Sequence, residues 1–376
     1  MHGRREREIE EFEVTQRGRQ PRVPVAFEAR AGEAFQAALV RIGALEPLEE
    51  GLAERDWGWV PRAGWDAEAV LEVDDGLAAA EGLRLEFDGL ETATRIKLGR
   101  RELGRTENGL RRHVFDLSGL KAGAHTLQIG FDSIFDLLAK RNRQRALPGW
   151  GVGVDKDDTA AWVRTAPVHM GWDFAPKVVP VGVTGAARLV AFDRARIDGV
   201  RVEQEHHGRR VALKARVELD RVSPGAVAVD GVLAFEGDVV ATARATGGKD
   251  ALRLEFDVRR PELWWPNTYG EQPLYTLSLT LRAGEDLLDV WQSKLGLRQI
   301  ELERKPDRDG EGFAFRVNGR RIDARGANWV PPEPVPGLGD EAGRTAMLLE
   351  RLAEANATMV RAWGGGPVAS ETFYDH

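Results

Sequence analysis

The chain has 376 residues, 42% hydrophobic and 30% charged, enough for two or three domains with cores of their own. Its net charge of −7 is made of interspersed acids and bases, which excludes a basic surface for nucleic acid or another polyanion. It has no cysteine, so disulfides and thiolate metal sites are excluded.

Met1 to Glu8 is charged and no apolar core follows, so it does not read as a secretory signal. With no run of eighteen apolar residues, the expectation is a cytoplasmic protein without a membrane span. Leu83 to Asp88 alternates apolar and charged residues and reads as a half-buried strand ended by Gly89. Thr92–Leu98, His113–Leu117 and His125–Phe131 follow as further short strands with Gly turns between them, the pattern of a sandwich or jelly roll. Leu137–Gln144 is a basic stretch of helical character, and Leu147–Asp158 is a Gly- and Asp-rich loop without the spacing of a calcium loop. Ala187–Phe192 returns to strand, and Asp198–Val202, Val211–Leu219, Leu252–Asp257 and Leu274–Leu281 form a second β series suited to an immunoglobulin-like sandwich. His206-His207 sits in a polar turn before Gly208 and reads as loop, not metal site; no metal and no cofactor is called for. The hexapeptide Leu-Arg-Leu-Glu-Phe-Asp occurs at 83 and at 252, read as two similar strands and not a repeat. Beyond about residue 300 the period changes. Arg321–Asn328 reads as a strand, Asp340 caps a helix to about Asn356 with Met347, Leu348, Leu349 and Leu352 on one side, and Thr358–Trp363 reads as a second strand. That is one βαβ unit of a parallel sheet or barrel.

Eleven Trp stand against three Tyr, in clusters. Trp264-Trp265-Pro266 reads as a packing corner between domains. Trp172-Asp173 is the combination with the clearest chemistry. A carboxylate can accept from two vicinal hydroxyls, and an indole face suits the C–H face of a pyranose. Gly364-Gly365-Gly366 lacks the Lys and Ser/Thr of a phosphate loop.

Four segments in order carry a resemblance: His169-Met170-Gly171-Trp172-Asp173-Phe174-Ala175-Pro176, Pro261 to Pro266 with Gly270 to Tyr275, Gly326 to Pro331, and Arg361 to Gly366. From about residue 55 onward the chain resembles the N-terminal portion of the β-mannosidases of glycoside hydrolase family 2. The resemblance implies a mainly β architecture: a jelly roll over 1–192, an immunoglobulin-like sandwich over 193–300, and the start of a (β/α)8 barrel over 301–376. It implies retaining hydrolysis of terminal β-mannosides by two glutamates, with a β-mannoside as partner. Both glutamates are expected late in a barrel of about 250 residues, beyond residue 376, so the 376 residues alone are expected not to hydrolyse. It also implies that Trp172 and Asp173 reach from the jelly roll to hold the terminal sugar, with Asn328, Trp329, Arg361 and Trp363 at adjacent strand ends. Thr165, Pro167, Phe174, Ala175, Thr268, Val368 and Ala369 depart from the family pattern. A second reading is a non-catalytic carbohydrate-binding or scaffold protein of two sandwiches. Exposed edges of the two barrel strands predict association, with a homodimer as the simplest form.

Overall fold

The computed structural model describes residues 3–19, 21–23, 25–147, 160–306, 308–333 and 335–376; all but the first residue of the Gly- and Asp-rich loop Leu147–Asp158 lies outside them.

Two sheets make the first sandwich. One runs Phe27–Arg30, Glu11–Gln16, Trp65–Val73, Gly123–Phe131, Ala93–Leu98, Arg101–Glu107 in spatial order; the other runs Arg5–Glu8, Ala187–Phe192, Gly82–Phe87, His113–Asp116. Alternation sets the inner faces. In Trp65–Val73, the residues Trp65, Ala67, Ala69, Leu71 and Val73 point into the core, and the charged ones between them point out. Phe27, Phe35, Phe131 and Trp59 surround Trp65 or each other with ring centroids 5.0–6.2 Å apart. The Trp65 indole N–H donates to the Val60 carbonyl at 2.9 Å, so the buried ring leaves no donor unpaired. The clustered Trp57 and Trp65 are therefore core residues.

The second sandwich pairs Ala195–His207, Arg210–Arg221 and Ala251–Arg259 against a sheet of Asp238–Gly247, Val227–Phe235, Tyr275–Ala283 and Asp286–Leu295. Leu213, Val217, Leu254, Phe256, Leu277, Leu279 and Leu281 are buried between the sheets. The sheets approach closely at Gly231, where a Cβ would come within 2.6 Å of the Phe256 ring.

Ions join the two sandwiches. Glu86, fully buried, lies 2.5 Å from Arg196 Nη2 of the second sandwich, an ion pair whose angle falls outside hydrogen-bond geometry, and 3.2 Å from Arg188 Nη2. Arg196 Nε and Arg84 both reach Asp220, and both guanidinium groups lie over the Phe192 ring. A buried carboxylate is stable only when paired this closely.

The last part begins with a three-stranded sheet, Ile300–Pro306, Glu311–Val317 and Arg320–Ile322. Gly326–Trp329 and Met359–Ala362 then pair in parallel, with the helix Glu341–Glu354 between them in sequence. Two expectations need correction. The strand expected over Arg321–Asn328 is broken at Asp323–Arg325, because side chains take its backbone groups: the Asp323 N–H donates to the Tyr269 hydroxyl at 2.8 Å and Thr358 Oγ1 donates to the Asp323 carbonyl at 2.6 Å. The four apolar helix residues do not share a side. Leu348, Leu349 and Leu352 cluster on the side of the buried Thr345, whereas Met347, turned about 200° from Thr345 at about 100° per residue, lies on the other and is exposed. Asp340 caps the helix through the Gly343 N–H at 2.9 Å, as its type and position predict. Trp264 and Trp265 do form a corner between parts. Arg298 lies over Trp264, Asn318 donates to the Trp264 carbonyl, and nearby Asn267 donates to the Ala353 and Ala357 carbonyls at the helix C-terminus.

Candidate functional site

The segment from Thr165 to Gly182 leaves the first sandwich, makes a turn and returns. Pro167–Met170 forms one 3₁₀ turn with proline in its first position, where a missing N–H costs nothing. Gly171 then takes φ +93°, a conformation that favours glycine. Trp172 and Ala175 exchange backbone hydrogen bonds of 3.1 and 3.3 Å, which leaves Asp173 and Phe174 as the two residues at the tip. Both tip residues are exposed. Among the described residues no group hydrogen-bonds or pairs with the Asp173 carboxylate.

The tip meets the strand ends of the last part. The Val168 N–H donates to the Gly365 carbonyl at 2.8 Å. The Trp363 ring stands edge-on to Trp172 at 5.2 Å and to Phe174 at 5.3 Å. Three aromatic rings thus meet at the tip that carries the exposed Asp173. Parallel pairing places Asn328 beside Arg361, and Arg361 Nη1 donates to Asn328 Oδ1 at 3.1 Å. Trp329 and Ala362 form the next pair, on the opposite face by strand alternation. The Trp329 ring is buried and lies 4.9 Å from the Phe373 ring. The structure therefore gathers Trp172, Asp173 and Trp363 at one seam and joins Asn328 to Arg361. It sets Trp329 in packing on the other face. Phe174, which departs from the family pattern, is part of the seam.

A polar group beneath the turn escapes sequence reasoning. Glu91 bonds through its backbone to Gly182 in both directions, at 3.0 and 3.2 Å, and so holds the returning end of the segment. Its buried carboxylate accepts from Thr92 Oγ1, and the Thr165 hydroxyl, at the departing end, lies near it. Burial pushes the Glu91 carboxyl up to about 7, partly offset by the two hydroxyls. Thr165 Oγ1 also lies 3.0 Å from His169 Nδ1, and burial pushes the His169 imidazole down to about 4. Gly109 leaves the room this requires, since a Cβ there would fall 2.3 Å from Glu91 Oε1. Glu91 falls between two strand signals, and no spacing marks it in the sequence.

Among the described residues no group of three His, Cys, Asp or Glu could hold a metal ion, and no helix is long and apolar enough to cross a membrane.

Comparison with known proteins gives the family. Residues 12–185 match the glycosyl hydrolase 2 galactose-binding domain-like model, and residues 195–298 match the glycosyl hydrolases family 2 model. The chain is 31% identical over 339 residues to the β-mannosidase B of Emericella nidulans, covering 88% of this chain and 40% of that protein. It is 31% identical over 334 residues to the β-mannosidase B of Aspergillus terreus, covering 86% of this chain and 38% of that protein. The fold matches the crystal structure of a β-D-mannosidase from Dictyoglomus thermophilum with a TM-score of 0.91 and 24% identity, over 99% of this chain and 46% of that one. It matches an exo-chitosanase from Amycolatopsis orientalis with a TM-score of 0.73 and 16% identity, over 99% of this chain and 42% of that one. The chain spans 40% and 38% of the length of the two β-mannosidase B relatives. With both sandwiches matched in order by models of one family, the chain belongs to glycosyl hydrolase family 2.

Proposed function

We propose that the chain supplies the sugar-holding part of a retaining β-mannosidase. The exposed Asp173 carboxylate at the turn tip, unpaired among the described residues, beside the meeting rings of Trp172, Phe174 and Trp363, is the observation that carries this reading. A pyranose laid against the indoles would offer two vicinal hydroxyls to one carboxylate. Asn328 and Arg361 flank the site, and Trp329 packs the strand end on the other face. The names of the relatives at 31% identity support mannose as the sugar. In this reading residues 1–192 form the galactose-binding-like jelly roll, 193–300 the immunoglobulin-like sandwich, and 301–376 the first βαβ unit of a catalytic barrel. Hydrolysis needs two carboxylates about 5–5.5 Å apart across the sugar. We assign neither to these 376 residues.

The purified chain is expected to change its Trp fluorescence on addition of methyl β-mannoside and to release no p-nitrophenol from p-nitrophenyl β-mannoside. Release of p-nitrophenol would overturn the assignment of catalysis outside these residues. An unchanged fluorescence spectrum would remove sugar binding.

A further inference from the structure

We propose that Gly365 is a positioning residue of the seam: the space left by its missing side chain is where the Trp363 indole lies, and that placement aims the ring at Trp172, at Phe174 and at a sugar. The ring half stands on geometry, and the sugar half rests on the mannoside reading above.

The backbone of Trp363 is fixed at both ends. Its N–H donates to the Trp329 carbonyl at 3.0 Å across the parallel pair. Its carbonyl accepts from the Gly366 N–H at 3.3 Å, closing a four-residue turn with Gly364 and Gly365 at its centre. Two side-chain torsions remain to place the ring. They fold it back onto Gly365. A Cβ at Gly365 would lie 2.6 Å from Trp363 Cε2 and closer still to Cζ2 and Cη2, well inside the roughly 3.5–4.0 Å at which carbon atoms rest against each other.

The three glycines of the turn differ in what they leave room for. Gly364 is exposed, and a Cβ there would meet nothing within 4 Å outside its two chain neighbours. A Cβ at Gly366 would press on the Pro331 ring, 2.8 Å from Cδ. None of the three takes the left-handed φ that favours glycine, so backbone freedom does not account for Gly365. The indole does.

Aromatic edges hold the same ring. Trp172 stands at 67° to it and Phe174 at 62°, the T-shaped geometry that ring quadrupoles favour. The Gly365 carbonyl accepts from the Val168 N–H, so the residue that makes room for the ring also ties this strand end to the 3₁₀ turn leading into Trp172. Gly365 itself is buried, whereas Trp363 is half-buried and keeps ring surface for a ligand. Gly365→Ala would retain the backbone bond and fill the space. The ring would then have to swing, and the surface offered to a pyranose beside Asp173 would change. Gly365 has no side chain to offer a substrate, so it acts through Trp363.

The test uses the full chain with ¹⁵N-labelled Trp, the Trp363 and Trp172 indole signals being assigned by their loss in Trp363→Phe and Trp172→Phe. Gly365→Ala should move both signals and leave those of the core residues Trp57 and Trp65 in place, and Gly364→Ala should move the two far less. Methyl β-mannoside affinity should weaken about tenfold in Gly365→Ala, roughly the loss of one aromatic contact, and keep its wild-type value in Gly364→Ala. A second pair of variants decides the matter even if Gly365→Ala unfolds the chain. Phe lacks the far half of the indole that meets the added methyl, so combining Gly365→Ala with Trp363→Phe should leave the urea midpoint of Trp363→Phe unchanged. A fall in midpoint as large in that background as in the wild type, or Trp363 and Trp172 signals that stay in place in Gly365→Ala, overturns the role of the glycine. Signals that move while mannoside affinity holds overturn its bearing on the sugar. Absence of mannoside binding in the wild type and every variant, with the signals still moving, sinks the sugar reading and leaves the ring placement standing.

Discussion

Replacing Arg196 by alanine is expected to destabilise the chain by about 3–5 kcal/mol, the cost of stranding one partner of a buried ion pair. Arg196 is almost fully buried, and its guanidinium serves Glu86 of the first sandwich and Asp220 of the second. Removing it leaves Glu86 with Arg188 at 3.2 Å and Arg112 at 3.9 Å, and uncovers one side of the Phe192 ring. The cluster bridges the two sandwiches, so the loss should also uncouple them. Urea unfolding followed by intrinsic fluorescence should show a lowered midpoint and two separable transitions. A loss under about 1 kcal/mol, typical of exposed pairs, would mean that the cluster is solvated.

The second large effect concerns pH. The Glu91 carboxyl is raised from 4.5 to about 7 in the fold. Between those values the folded chain keeps a proton the unfolded chain has lost, so this group's stabilisation declines as pH rises. The His169 imidazole is lowered from 6.5 to about 4. There the unfolded chain takes up a proton the folded chain refuses, so stability declines as pH falls. From pH 4.5 to 6.5 the two slopes oppose each other, each worth roughly 2–3 kcal/mol at about 1.4 kcal/mol per pH unit. In the wild type they cancel. Relative to wild type, Glu91→Gln should gain stability by that amount as pH rises from 4.5 to 6.5, and His169→Gln should lose it. Urea unfolding at both pH values checks this. Differences from wild type that do not change with pH would show that neither side chain is desolvated as the fold places it.

What was legible in the sequence had periodic or motif support. Alternation gave Leu83–Asp88 and the strands of the second sandwich, whereas the strand Trp65–Val73 was not read from the sequence. The Trp172-Asp173 pair pointed to a carboxylate beside an indole face, and the fold leaves Asp173 exposed at the tip of a turn. The repeated hexapeptide shows the limit. In both copies alternation holds for the apolar residues, yet Glu86 is buried in an ion cluster and Glu255 faces solvent. The six residues are the same, and the difference comes from Arg196, 110 positions after Glu86, which no local pattern can report. Glu91 was invisible for the same reason, since its backbone partner Gly182 lies 91 positions further along the chain. The break at Asp323–Arg325 was missed because Tyr269 and Thr358 compete for its backbone groups only once the parts have met.

The most direct test is titration calorimetry of methyl β-mannoside into the chain and into Asp173→Ala. A hydrogen-bonded charged group contributes about 1.5–3 kcal/mol, so wild-type heat should be accompanied by a roughly ten- to hundredfold weaker affinity in the variant. The chain should keep its folding midpoint, because Asp173 is exposed and bonded to nothing among the described residues. Equal affinities in the two proteins, or no heat in either, would contradict the assignment of the seam as the sugar site.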